Sequence, residues 1–208
     1  MNTEKELKKK TVRIMKSKKA FKAEIEKRFS ASESEKIWKN AHRRLCKMYS
    51  EHESLPKGIS AHTDSFIFPA AAIYLSMKEK NPDIAYDVMK QVMAIRSEKM
   101  GQSLARCCKI PGFRRFFLSM WDTLSHKMFG EASGFKNVFY PKEKDCFRMD
   151  ITQCPYHKYL TELGCPEINV LFCENDVHMY GKLPGMRFTR TMTIGSGGEL
   201  CDFKMEIV

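Results

Sequence analysis

The closing stretch "MRFTRTMTIGSGGELCDFKMEIV", residues 186–208, decides the fold class. Met186, Phe188, Arg190, Met192 and Ile194 alternate with Arg187, Thr189, Thr191 and Thr193, the two-residue period of a half-buried strand. After the glycine-bearing turn "SGGEL", Cys201, Phe203, Met205 and Ile207 alternate with Asp202, Lys204 and Glu206. This predicts a terminal hairpin, with Cys201 and Arg190 directed to the same apolar side. A guanidinium among apolar side chains needs a carboxylate partner, supplied by the protein or by a ligand. If Ile194 pairs with Cys201, Arg190 lies about 13 Å along the strand from that pair at ~3.3 Å per residue.

Working outward, "FKNVFY" and "CFRMDIT" flank the polar turn "PKEKD", a second predicted hairpin. Between the hairpins lie two predicted helical segments, at about 153–164 and 167–180. Everything before residue 134 reads as helix. A Lys-rich helix is predicted over 3–29. Ser32 with Glu35 forms a capping box, followed by Ile37, Ala41, Leu45 and Met48 at helical spacing. "LPKGIS" interrupts the pattern, and Pro69 falls at a first turn or a kink. Asn81 and Pro82 start a long helix with Ile84, Val88, Val92 and Ile95 on one face, running towards Cys107 and Cys108. The aromatic-rich "FRRFFLSMWDTLSHKMF" is a further core helix, with His126 near its end. The expectation is an α+β protein: a helical region over 1–134 packed on a ββααββ antiparallel sheet region over 135–208, together one compact domain.

Composition narrows the function classes. The 208 residues carry a formal charge of +11. Residues 1–50 hold 16 Lys or Arg against 6 Glu, so the basicity is a property of the N-terminal helices and not of the C-terminal region. Without a Gly-aromatic RNA motif or zinc-finger spacing, a solvated basic helix face explains it better than nucleic-acid binding. No apolar run approaches the ~20 residues of a membrane span, and the N-terminus has no signal-like apolar core. A cytoplasmic location is expected. The eight cysteines then read as reduced thiols, with self-association left open.

Five of those cysteines lie in the last 63 residues, and "DITQCPYHKYLTELGCPEINVLFCENDVH" (150–178) concentrates three with two histidines. Thr152 caps a helix with Cys154 in its first turn, where backbone N–H groups and the dipole favour a thiolate. His157 shares that face. "CPYH" resembles the thioredoxin pattern with its second cysteine replaced, although that motif begins its fold and this one follows 153 residues. A zinc site drawing on Cys154, His157, Cys173, His178 and Cys201 is the minority alternative, because a second metal knuckle is missing. No cofactor is expected otherwise.

The order Cys154-Pro155, Leu163-Gly164, Cys173-x-x-Asp176, Arg190-x-x-Thr193 and Gly197 to Phe203 resembles the L-2-amino-thiazoline-4-carboxylic acid hydrolase family. The resemblance is clear over about 147–205 and unspecific in the helical half. His157 and His178 stand outside its pattern, so any role for them rests on chemistry alone. The resemblance implies hydrolytic opening of a small cyclic amidine carboxylic acid to an N-carbamoyl amino acid. The residues can be fitted to that chemistry: Asp176 polarises the amidinium carbon, Arg190 with Thr193 takes the substrate, Cys154 or Cys201 attacks beside Cys173 unless a metal-bound water does, and His157, on chemistry alone, serves as acid or base. A binding or sensor domain, or a thiol redox or metal protein, uses the same residues without that chemistry.

Overall fold

A computed structural model describes residues 4–141 and 143–208. Residues 1–3 and Lys142, which fall at the start of the predicted Lys-rich helix and in the "PKEKD" turn, lie outside the described residues. The protein is α+β, helical up to residue 134 with a four-stranded antiparallel sheet after it. It divides into two compact units, Met1–Val92 with Tyr159–Ile168, and Met93–Lys158 with Asn169–Val208.

The first unit is helical. The predicted single helix over 3–29 is instead α1 (Glu4–Ser17) and α2 (Lys19–Arg28). The break is at Lys18, whose backbone leaves the helical region (φ −98°, ψ 22°) while its Nζ donates to the Ser65 carbonyl at 2.7 Å. Helix α3 (Ala31–Glu51) is capped by Ser30 and not Ser32: Ser30 Oγ accepts from Glu33 N–H, and Glu33 answers the Ser30 N–H. The sequence SASESE contains the Ser-x-x-Glu pattern twice, two residues apart, and the tight link after extended Phe29 selects the first. Ile37, Ala41, Leu45 and Met48 are buried as the period requires. After α4 (Lys57–His62), a π-helical turn at Thr63–Ile67 runs directly into α5 (Phe68–Lys78), which carries Pro69 in its first turn. Tyr159 packs edge-on against Phe68.

Helix α6 (Pro82–Cys107) starts at Asn81, whose Oδ1 accepts from Ile84 N–H. Its buried stripe is Ala85, Val88, Met89 and Val92, whereas Ile95 is 44% exposed, so the predicted face is rotated at its far end. The helix continues into the second unit, which holds α7 (Phe113–Met128), β1 (Lys136–Phe139) and β2 (Cys146–Gln153). Then come α8 (Pro155–Glu162, of which residues 155–158 belong here), α9 (Asn169–Tyr180), β3 (Met186–Thr189) and β4 (Cys201–Ile207). Helix α8 ends at Gly164, whose φ of +75° is the left-handed stop that glycine allows.

The sheet order is β1-β2-β4-β3, every pair antiparallel. The last strand thus sits beside β2, with Phe147, Met149 and Ile151 opposite Met205, Phe203 and Cys201. These six side chains form the inner face, and all are buried. Trp121 of α7 stacks on Phe203 and meets Tyr180 of α9 edge-on at 5.3 Å, closing the core. Burying each such side chain contributes ~1.5–3 kcal/mol. The register fixes the site: Ile151 lies opposite Cys201, and Cys154 follows three residues later at the start of α8.

The terminal hairpin is wider than the alternation implied. Strand β3 ends at Thr189, opposite Lys204. Beyond it the Asp202 carboxylate accepts from the N–H groups of Thr191 and Met192 and from the Thr191 hydroxyl. This side chain replaces the backbone ladder, and residues 194–196 curl into a 3₁₀ turn. Ile194 therefore meets Cys201 by donating its N–H to Sγ at 3.3 Å, not as a ladder partner.

Candidate active site

Helix α9 carries Asn169, Cys173, Asp176 and Tyr180 at i, i+4, i+7 and i+11, so one face presents an amide, a thiol, a carboxyl and a phenol. Arg190, just past β3, reaches this face. Its Nη1 donates to Asp176 Oδ2 at 2.9 Å and its Nη2 to the Cys173 carbonyl at 2.8 Å. The carboxylate that the sequence required for Arg190 is therefore internal. Arg190 is nearly sealed, its side chain 9% exposed, whereas Asp176 keeps 38% of its side-chain surface and forms a wall open to solvent. Burial pushes the Asp176 carboxyl up to about 6 against the opposing pull of Arg190, and the open side tempers that rise.

The three thiols converge. Cys154 and Cys201 each feel the charge of Cys173, and Cys154 also that of Cys201. Thr152 lies in β2 and does not cap α8; Cys154 immediately precedes the helix, and its Sγ accepts from the Tyr156 and His157 backbone N–H groups. Burial outweighs those donors and pushes the thiol up to about 12, so it is not a pre-formed thiolate. Burial likewise pushes Cys201 up to about 11, against the Ile194 N–H. Burial raises Cys173 too, opposed by the Thr193 hydroxyl, the Arg190 charge and the Gly195 N–H.

Gly195 is required by close approach. A Cβ there would stand 2.8 Å from Cys173 Sγ and 3.0 Å from Asn169 Nδ2. Thr193 holds this turn, its Oγ1 accepting from Ser196 N–H at 3.1 Å. His157 is exposed, and its Nδ1 is 3.2 Å from Asn169 Nδ2. The remaining predicted histidine, His178, lies elsewhere: its Nδ1 approaches Glu98 of α6 at 3.6 Å. The sequence reading missed Asn169 and Gly195, although Asn169, Cys173 and Asp176 at i, i+4 and i+7 are a visible polar stripe.

Among the described residues no group of three or more His, Cys, Asp or Glu has the arrangement to hold a metal ion. The eight cysteines are unpaired thiols. A surface concavity runs along the exposed face of α1, between Lys8, Val12 and Lys16, and no cysteine lines it.

The model of one family, described as L-2-amino-thiazoline-4-carboxylic acid hydrolase, matches residues 61–205. The chain belongs to the L-2-amino-thiazoline-4-carboxylic acid hydrolase family. The match spans the whole thiol, Asp176 and Arg190 cluster and, unlike the sequence resemblance alone, reaches back to α4 in the helical half. Comparison with curated proteins gave no match. One solved structure, described as "Probing the function of heme distortion in the H-NOX family", aligns over 82% of this chain and 93% of that one. At 12% identity and a TM-score of 0.26 it bears on neither fold nor ligand of this hydrolase-family chain. Among the described residues no helix is long and apolar enough to cross a membrane.

Proposed function

We propose that the protein opens a small cyclic amidine carboxylic acid of the 2-amino-thiazoline-4-carboxylate type by hydrolysis, giving an N-carbamoyl amino acid with a free thiol. The observation that carries this reading is the Asp176–Arg190 pair, set beside three reduced thiols within the residues that match a hydrolase family. The substrate has an amidinium end and a carboxylate end. Asp176, ionised above about pH 6, is the partner for the first. The donors of Arg190 not engaged by Asp176 and the Cys173 carbonyl are the partners for the second.

Cys173 is the favoured nucleophile over Cys154 and Cys201. Only its sulfur is served by a hydroxyl, a backbone N–H and a guanidinium charge together. Its proton passes to Asp176, one turn along the same helix face, as sulfur bonds to the amidine carbon. The bond from that carbon to the ring sulfur breaks, and the leaving sulfur takes a proton from His157 or water. Water then adds to the carbon, the bond to Cys173 breaks, and a carbamoyl group departs with the product. Thr193 and Gly195 keep the Cys173 thiol and the 194–196 turn in register. A reducing, cytoplasmic setting suits this thiol chemistry. The test is thiol release from L-2-amino-thiazoline-4-carboxylate by purified protein, set against a heat-killed control. Release at the control rate removes this reading.

A further inference from the structure

Five buried side-chain N or O atoms among the described residues have no hydrogen-bond partner, and one, Asn169 Oδ1, stands on the α9 face that carries Cys173 and Asp176. Asn169 is 1% exposed. Its Nδ2 lies 3.2 Å from His157 Nδ1, which ties the amide to that ring. Asn169 Nδ2 and Cys173 Sγ both lie within 3.0 Å of the point where a Gly195 Cβ would stand, so the amide and the thiol flank the same turn. A buried amide oxygen left without a donor is disfavoured, and native proteins rarely leave one without a reason.

We infer that Asn169 is a specificity-determining residue of this site, its Oδ1 accepting the exocyclic N–H of a cyclic amidine while its Nδ2 holds the His157 ring. The inference rests on the hydrolase reading above. A site built around an acceptor discriminates against an isostere that lacks the donor, because the acceptor then stays unpaired.

Two aromatic analogues that resist ring opening, 2-aminothiazole-4-carboxylate and 2-methylthiazole-4-carboxylate, isolate that contact. Their affinities are measured by calorimetry on the wild-type chain, Asn169→Leu and Asn169→Asp. Wild type is expected to bind the amino compound about tenfold more tightly, the effect of one hydrogen bond to a buried group. Asn169→Leu loses the preference, whereas Asn169→Asp, which keeps an acceptor oxygen in place, retains it. If Asn169→Leu does not fold, Asn169→Ala in the same measurement decides. A preference that survives in the apolar variant, or none in wild type, overturns the inference. Thiol release from the thiazoline, assayed in parallel, separates the two claims. Turnover with an unchanged preference in the apolar variant sinks only the role of Asn169, and absence of both turnover and binding sinks the hydrolase reading with it.

Discussion

Arg190 binds Asp176 and the Cys173 carbonyl at once, so a single guanidinium ties the end of β3 to the middle of α9. The pair holds the chemistry and the tertiary structure with the same bonds. Removing either partner leaves the other charge short of a counter-ion in a largely enclosed place.

The raised Asp176 carboxyl gives the pH dependence. If the ionised form acts, kcat/KM climbs with pH through an inflection at about 6. Arg190 lowers this value, so Arg190→Gln moves the inflection upwards in a pH–rate profile. Stability has the opposite sign. The folded carboxyl holds its proton more tightly than the unfolded one, so its contribution is full below pH 3.8 and is lost as pH rises through about 6. The thermal midpoint of wild type relative to Asp176→Asn should fall across that window.

Gly195→Ala tests the close approach at Cys173. The new Cβ meets Sγ at 2.8 Å, so the turn or the helix must shift. A loss of about 1–3 kcal/mol in urea unfolding is expected, as for other overpacked sites, together with a sharp drop in thiol release. Unchanged stability and turnover would show that the turn does not frame the thiol.

The three thiols separate by serine substitution. Cys173→Ser should lower turnover by ~10³-fold or more, as removal of a nucleophile does, with little change in thermal midpoint. Cys154→Ser puts a preferred cap residue at the start of α8 and should not lower the midpoint. Cys201→Ser places a hydroxyl against the buried sheet face and should cost ~1–3 kcal/mol. Turnover that survives in Cys173→Ser but vanishes in Cys154→Ser or Cys201→Ser would move the nucleophile.

Asp202 anchors the wide hairpin. Burial works against its ionisation, but donors from Met192 and Thr191 win and hold the carboxyl below its usual range. That stability is present above the unfolded value of 3.8 and is lost as pH falls below it. Asp202→Ala strands two backbone donors and should destabilise by about 1–3 kcal/mol in denaturant unfolding, with the 190–196 segment loosened in hydrogen exchange.

Periodicity alone determined the classes of element in this protein. The alternation at Cys201, Phe203 and Met205 and the spacing of Ile37, Ala41, Leu45 and Met48 are set by strand and helix geometry, and these residues are buried as that geometry demands. The family pattern likewise marked Cys154, Cys173, Asp176, Arg190 and Cys201 before any fold was known. Competition between local signals was decided only in three dimensions: Ser30 over Ser32 as cap, a break at Lys18, and a hairpin widened by the Asp202 side chain. The state of the thiols was also decided there. A helix start favours a thiolate, yet the enclosure that raises the Cys154 thiol comes from residues distant in the chain. Sheet order supplied the rest, because pairing β4 with β2 sets Cys201 opposite Ile151 and hence near Cys154, a relation between residues far apart that no local pattern encodes.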